Sequence, residues 1–286
     1  MVPDTDIRRE QRRKQRRWQQ LLRRAMFAAA GGLVAAAVLL VVWNALPAGA
    51  DTQPTSAEAL PDPRPAGAGN GIVVAIDPGH GGYNENNGCW DSGAKGDGVT
   101  EAELTIRIAG MLEELLRQDR RFAPVMTTDG STYLKGSQRG AAAQAAGAEL
   151  LVSIHFNSDP VYDSRGLECY PATPAMATNA DSLRLAAAIT EGFAATGLPL
   201  RGENGIRYLY FDANNNRMVY ESSDTVPRTD PTFTVLETCG CPAVLVEQGF
   251  LTNPTDAAMF SNDEGWRSAA GIYYRAICRY FGMELQ

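Results

Sequence analysis

Histidine is almost missing from this chain: 286 residues contain two, His80 and His155. A site built on several imidazoles is therefore excluded unless it uses both. Basic residues are also scarce in the body. Residues 1 to 24 carry a net charge of +6, so the formal total of −7 leaves −13 on residues 51 to 286. Nucleic acid, whose binding depends on phosphate neutralisation by Lys and Arg, is not an expected partner. Charge of either sign is absent from residues 25 to 50. The five cysteines are an odd number, and "CGC" at Cys239 to Cys241 lacks the second pair of a zinc knuckle. They are read as buried thiols with room for one bridged pair, and their spacing assigns no connectivity. No internal repeat is present.

What is there begins with an apolar stretch, "AMFAAAGGLVAAAVLLVV", of about 18 residues, enough to cross a thin hydrocarbon core as a helix. Its flank "RREQRRKQRRWQQLLRR" belongs in the cytoplasm by the positive-inside preference, and Trp18 and Trp43 bracket the span. Two readings compete: an uncleaved anchor, or a secretory signal peptide ending at "LPAGA", where Ala48 and Ala50 form an A-x-A-like cleavage site. The long basic segment favours the anchor. In either case the body is exported: as the outer domain of a single-pass membrane protein with a cytoplasmic N-terminus, or as a secreted protein cleaved after Ala50. Residues 1–24 are thus a basic segment, 25–44 the anchor or signal core, 45–71 a Pro-, Gly- and Ala-rich linker, and 72–286 a folded domain.

In that domain apolar strand patterns alternate with helical ones. "IVVAI", "APVMTT", "ELLVSIHF", "GLECYP" and "AVLVEQGF" read as strands. Leu104, Ile108, Met111, Leu112 and Leu115 share one helical face, and further helices are expected over "QRGAAAQAAGA", "DSLRLAAAITEGF" and Trp266 to Phe281. The expected fold is a single α/β domain with a mostly parallel central sheet flanked by helices on both faces, preceded by one N-terminal transmembrane helix. Between Tyr208 and Thr232 the pattern lapses, which fits a long loop or hairpin beside a site, or a decorated surface.

Both histidines follow apolar strands, His80 after "IVVAIDPG" and His155 within "LLVSIHFNS". Ligands in open α/β sheets collect at the carboxyl ends of strands, so the two imidazoles are placed to converge. Two imidazoles and a carboxylate make a frequent catalytic zinc set with one position left for water. The carboxylate is sought in "VTEAEL". Thr100 and Glu103 have the spacing of a capping box, which occupies Glu103 and leaves Glu101 free to face a metal. Glu247 interrupts the apolar run "PAVLVEQGF", where an unpaired carboxylate is costly. It is either salt-bridged to Arg139 or another base, or a general base whose pKa is raised by burial. Asp77 and Asn157 flank the histidines and are candidates for fixing the imidazole rings, although a turn-forming Asp-Pro and a strand-end Asn explain them equally well.

Taken in order, "IDPGHGG", "DSGAKGDGVTEAEL", "RGAAAQAAGAELLVSIHFNS", "GLECY" and "PAVLVEQGFLTNP" resemble the zinc-dependent N-acetylmuramoyl-L-alanine amidases of the amidase 3 type, which cut bacterial peptidoglycan. The likeness runs from about Val73 to Phe281. It implies that His80, Glu101 and His155 bind one zinc ion and that Glu247 is the catalytic glutamate; apart from the resemblance, Asp77, Asn157 and Arg139 are candidates for supporting the site or meeting substrate. The implied reaction is hydrolysis of the amide between the lactyl group of N-acetylmuramic acid and L-alanine of the stem peptide. The partners would be peptidoglycan and, through the N-terminal helix, the membrane, with protein partners unassigned. Alternatives of other classes are a non-catalytic wall-binding or regulatory protein on the same fold, and a zinc peptidase cutting within the stem peptide. Three departures stand out. The spacing from His80 to Glu101, including "YNENNGCW", is longer than usual, an extra stretch follows "LRGENG", and "MTTDG" stands where the family often has an arginine. No wall-binding module is visible.

Overall fold

The computed structural model describes residues 71–96, 98–160 and 163–285. The basic segment, the apolar stretch at 25–44 and all of the linker but Gly71 lie outside the described residues. Among the described residues no helix is long and apolar enough to cross a membrane.

Five strands form the central sheet: β1 (Ile72–Pro78), β6 (Phe122–Met126), β7 (Leu150–Asn157), β8 (Glu168–Pro171) and β11 (Ala243–Phe250), in the spatial order β6-β1-β7-β11-β8. The first four run parallel and β8 closes the edge antiparallel to β11, so the sheet is mostly parallel as expected. Its central strands are continuous apolar runs because they are covered on both faces. Side chains alternate between faces along each strand. Val74, Ile76, Val152, Ile154, Val244 and Val246 point to one side, where they pack with α1 (Glu101–Gln118), α3 (Asn179–Ala194) and α5 (Asp263–Tyr280). Ala75, Leu151, Ala243 and Leu245 point to the other, under α2 (Gly136–Ala145) and the short α4 (Thr234–Thr238). Each fully buried Val, Leu or Ile contributes about 1.5–3 kcal/mol, so the larger first face dominates stability.

The chain leaves β1 for β6 on one side and later returns to β7 on the other. The carboxyl ends of β1 and β7 therefore form a point where strand order reverses, the usual place for a ligand crevice in an open α/β sheet. Two elements frame it. The residues between β1 and α1 fold into a small hairpin, β2 (Tyr83–Asn84) with β3 (Cys89–Trp90), then a second, β4 (Lys95–Gly96) with β5 (Val99–Thr100). The stretch that lacks periodicity is the hairpin β9 (Arg207–Phe211) and β10 (Arg217–Glu221), followed by loop. All five cysteines are free thiols, four buried and Cys89 exposed, so the expected room for a bridged pair is not used.

Candidate functional site

The capping box at the start of α1 forms as the sequence indicates: the Thr100 hydroxyl accepts from the Glu103 N–H at 3.3 Å, and the Glu103 carboxylate accepts from the Thr100 N–H at 2.9 Å. Glu103 is thereby turned to solvent, and Glu101, two positions earlier, is buried facing the sheet. Two backbone N–H groups, those of Ala94 and Phe156, donate to the Glu101 carboxylate at 2.8 and 2.9 Å. The Glu101 N–H in turn donates to the Ala94 carbonyl, which ties this loop to the helix start.

Against Glu101 lie both histidines. His155 Nδ1 is 2.9 Å from Oε1 and His80 Nε2 is 3.2 Å from Oε2, with the two imidazole centroids 5.2 Å apart. One ligand atom from each of the three residues lies within 4.8 Å of the others. Neighbouring ligands around a four-coordinate zinc, with bonds of about 2.0–2.1 Å, stand about 3.3 Å apart, so this donor set fits that ion. Burial works to raise the Glu101 pKa, yet the hydrogen bonds of His155 and then His80 hold it well below the usual carboxylate range. Burial works against a charged His80, but Asp91 and Glu101 together push its pKa up to about 10. Packing is tight enough that two glycines are needed. A Cβ on Gly79 would run into the His155 ring, 2.5 Å from Nδ1, and one on Gly93 would lie 2.6 Å from His80 Cδ2, at a φ of +63° that disfavours side chains in any case.

His80 itself has a φ of +64°, an unusual conformation for a residue other than glycine and one that costs about 1–3 kcal/mol. Three contacts hold it. The Arg139 guanidinium donates to the His80 carbonyl at 2.5 Å, the Gly81 N–H donates to the Asp91 carbonyl, and the Asp91 carboxylate lies 2.9 Å from His80 Nδ1. Asp91 is the partner that fixes the His80 ring, and the sequence reading passed over it. Eleven residues separate the two, and only the β2–β3 hairpin brings them together.

The supporting roles considered for Asp77 and Asn157 are corrected accordingly. Asp77 turns beneath the site, where its carboxylate accepts from the hydroxyls of Thr127 (2.5 Å) and Ser153 (2.6 Å) and pairs with Arg139 at 3.2 Å. The Asn157 amide donates to Glu168 at 2.8 Å. Neither bonds to an imidazole, because the hydrogen bonds of each are taken by nearer partners. The salt bridge considered between Glu247 and Arg139 is absent for a similar reason. Arg139 is committed to Asp77 and to the carbonyls of Pro78, His80 and Leu134.

Glu247 stands in register with His155 on the neighbouring parallel strand, hence on the same face of the sheet. The carboxylate is buried, and Oε2 has no hydrogen-bond partner among the described residues. Burial first, and the charge of Glu101 second, push its pKa up to about 7, with His155 and Arg217 opposing. A group so placed exchanges protons near neutral pH. A bulge follows Glu247 in β11 and ends the regular ladder at the site. His80, Asp91, His155 and Glu247 line one cavity of about 250 Å³, walled by the start of α2, by Phe233 and Val235 at α4, and by Arg217 of β10.

Residues 74–279 match the family model described as N-acetylmuramoyl-L-alanine amidase. The chain is 30% identical over 211 residues to the uncharacterized protein YqiI of Bacillus subtilis, covering 74% of this chain and 85% of that one. It is 31% identical over 188 residues to the N-acetylmuramoyl-L-alanine amidase LytC of the same organism, covering 66% of this chain and 31% of LytC. Among solved structures, the catalytic domain of CwlV, an N-acetylmuramoyl-L-alanine amidase from Bacillus (Paenibacillus) polymyxa var. colistinus, superposes with a TM-score of 0.57 at 28% identity, covering 74% of this chain and 99% of that domain.

Proposed function

The chain belongs to the N-acetylmuramoyl-L-alanine amidase family and is a hydrolase of that kind, and from this premise we propose that it is a zinc enzyme cleaving the amide between the lactyl group of N-acetylmuramic acid and L-alanine in peptidoglycan. The observation that carries the reading is the row of His80, Glu101 and His155 beside an unpartnered buried carboxylate, Glu247. His80, Glu101 and His155 would hold the ion. Bound there, zinc supplies Lewis acidity, polarising the amide carbonyl and acidifying a water molecule.

The rest of the chemistry falls to the chain. Asp91 keeps the His80 ring oriented and its Nε2 directed at Glu101. Two backbone N–H groups and two imidazoles keep Glu101 ionised. Glu247 is the one carboxylate of the row whose protonation is poised near neutrality. It would take the proton of the attacking water at Oε2 and return it to the L-alanine nitrogen as the C–N bond breaks. The products are a lactyl carboxylate on the glycan and a stem peptide with a free L-alanine amine. The N-terminal stretch 25–44 is proposed to span the membrane with residues 1–24 in the cytoplasm, which would hold the domain close to the wall.

Mass spectrometry of purified muropeptides incubated with the full chain tests the assignment, with wild type beside Glu247→Ala, each after chelation and after zinc is restored. The expected result is zinc-dependent release of intact stem peptide, abolished by the substitution. A cut inside the stem peptide would move the activity to the peptidase class on the same metal site. No cleavage by folded, zinc-loaded wild type would refute the proposal.

A further inference from the structure

Recognition at the mouth of the cavity, which rests on the amidase reading above, can be read from the bookkeeping of charge. Residues 71–286 contain 16 basic and 27 acidic side chains, a net of −11. Around the site most arginines are committed within the fold: Arg139 to Asp77, Arg201 and Arg207 to Glu168, and Arg228 to Asp224. Arg217 and Lys135 are different. Both are exposed, both line the cavity that holds His80, His155 and Glu247, and neither side chain makes an ion pair or hydrogen bond with a described residue.

Their placement is built into the fold. Lys135 leads α2, next to Tyr133 and Leu134 on the β1 side of the cavity. Arg217 opens β10, and its charge acts on Glu247 and Tyr170, toward the β11 and β8 side. The hairpin that carries it is stapled down by Arg207, which donates to Glu221 at 3.0 Å and to Glu168 at 2.6 Å. Phe211, the register partner of Arg217, packs edge-on against Phe233 of the cavity wall, with centroids 6.0 Å apart. Two uncommitted cations are thus held at the mouth of a site in a domain that carries net negative charge, an arrangement that draws an anionic group to that point and repels it elsewhere.

We propose that Arg217 and Lys135 form a carboxylate-binding rim that selects an acidic stem peptide. The scissile nitrogen belongs to the first stem residue, L-alanine. The nearest carboxylate along the stem is the α-carboxylate of the γ-linked D-glutamate that follows, and amidation to D-isoglutamine makes it neutral without changing its shape. The rim therefore reads whether the second residue is acidic or amidated.

The test uses the full chain and two muropeptides that differ only in D-glutamate against D-isoglutamine. The readout is the ratio of their kcat/KM values. Wild type is expected to favour the acidic form about three- to tenfold at low salt, the scale of one or two solvent-exposed ion pairs, and the preference shrinks as salt is added. Arg217→Gln and Lys135→Gln each lower the ratio and together bring it to about one, whereas Arg217→Lys retains most of it. Arg120→Gln, which removes an exposed charge just beyond the far end of α1, keeps the wild-type ratio. A wild-type ratio of one, or a preference that survives the double substitution, overturns the proposal. NMR titration with the dipeptides L-Ala-D-Glu and L-Ala-D-isoGln separates the two readings. Selective binding without cleavage of either substrate would retire the amidase and keep the rim, and cleavage of both without preference would do the reverse.

Discussion

Replacing Glu247 with glutamine should change the dependence of stability on pH in a way that a merely structural glutamate would not. The carboxyl has an ordinary pKa of 4.5, and in the folded protein burial and the Glu101 charge push it up to about 7. A carboxyl whose pKa rises on folding binds more protons folded than unfolded throughout the window between the two values. Stability is therefore lost as pH climbs from 4.5 through 7, with little further change on either side. At roughly 1.4 kcal/mol per pH unit, the window amounts to about 3 kcal/mol, an upper figure because buried water would reduce it. Glu247→Gln removes this titration and keeps the shape. The unfolding free energies of wild type and variant should accordingly diverge by up to about 3 kcal/mol between pH 4.5 and pH 8, in favour of the variant at high pH. Urea unfolding at intervals across that range, with a chelator present in both series, makes the measurement. The difference between the two curves isolates Glu247 from His80, whose raised pKa gives a slope of the same sign at higher pH, between 6.5 and about 10, in wild type and variant alike. Saturating zinc should flatten the difference, because a nearby cation favours the charged carboxylate. Curves that stay parallel within about 0.5 kcal/mol would refute the argument that Glu247 holds a proton near neutrality, and with it the proton-transfer role assigned to Oε2.

Three further outcomes follow from the same geometry. Asp91→Asn weakens the acceptor at His80 Nδ1 and should lower zinc affinity about 10- to 100-fold in competition with a chromophoric chelator; unchanged affinity would remove Asp91 from the site. Gly79→Ala drives a methyl group into the His155 ring and should abolish stoichiometric zinc binding while costing the fold only about 1–3 kcal/mol, which metal analysis and a melting curve separate. Arg139→Met strands the buried Asp77 carboxylate and frees the His80 carbonyl, at a cost of about 3–5 kcal/mol or a Tm lower by about 6 °C or more, whereas Arg279→Met, which breaks an exposed pair with Glu191, should shift Tm very little.

How much of this was legible beforehand depended on how local the physics was. The choice of Glu101 over Glu103 came from one short-range rule, the capping box, and the structure places both side chains as that rule requires. "AVLVEQGF" is β11 residue for residue, because a covered central strand leaves an unbroken apolar run. The antiparallel course of β8 was not legible, since "GLECYP" carries no mark of direction. For the stretch after Tyr208, a loop or hairpin beside a site and a decorated surface were equally open, and only the structure chooses the hairpin, closed by the turn "DANNN".

The sequence by itself determined the inventory: two histidines, a free glutamate at a helix start, a glutamate inside an apolar strand, and the period of every major element around them. Those are consequences of side-chain type and spacing, which a linear string records. Tertiary structure alone decided the pairings. It gave His80 to Asp91 through a two-residue ladder, spent Arg139 on Asp77 and backbone carbonyls instead of Glu247, and left Arg217 and Lys135 uncommitted at the cavity mouth. A charged or hydrogen-bonding group takes the nearest partner in space, and proximity across 11 or 62 residues is set by how strands and hairpins close, not by where those residues fall in the chain.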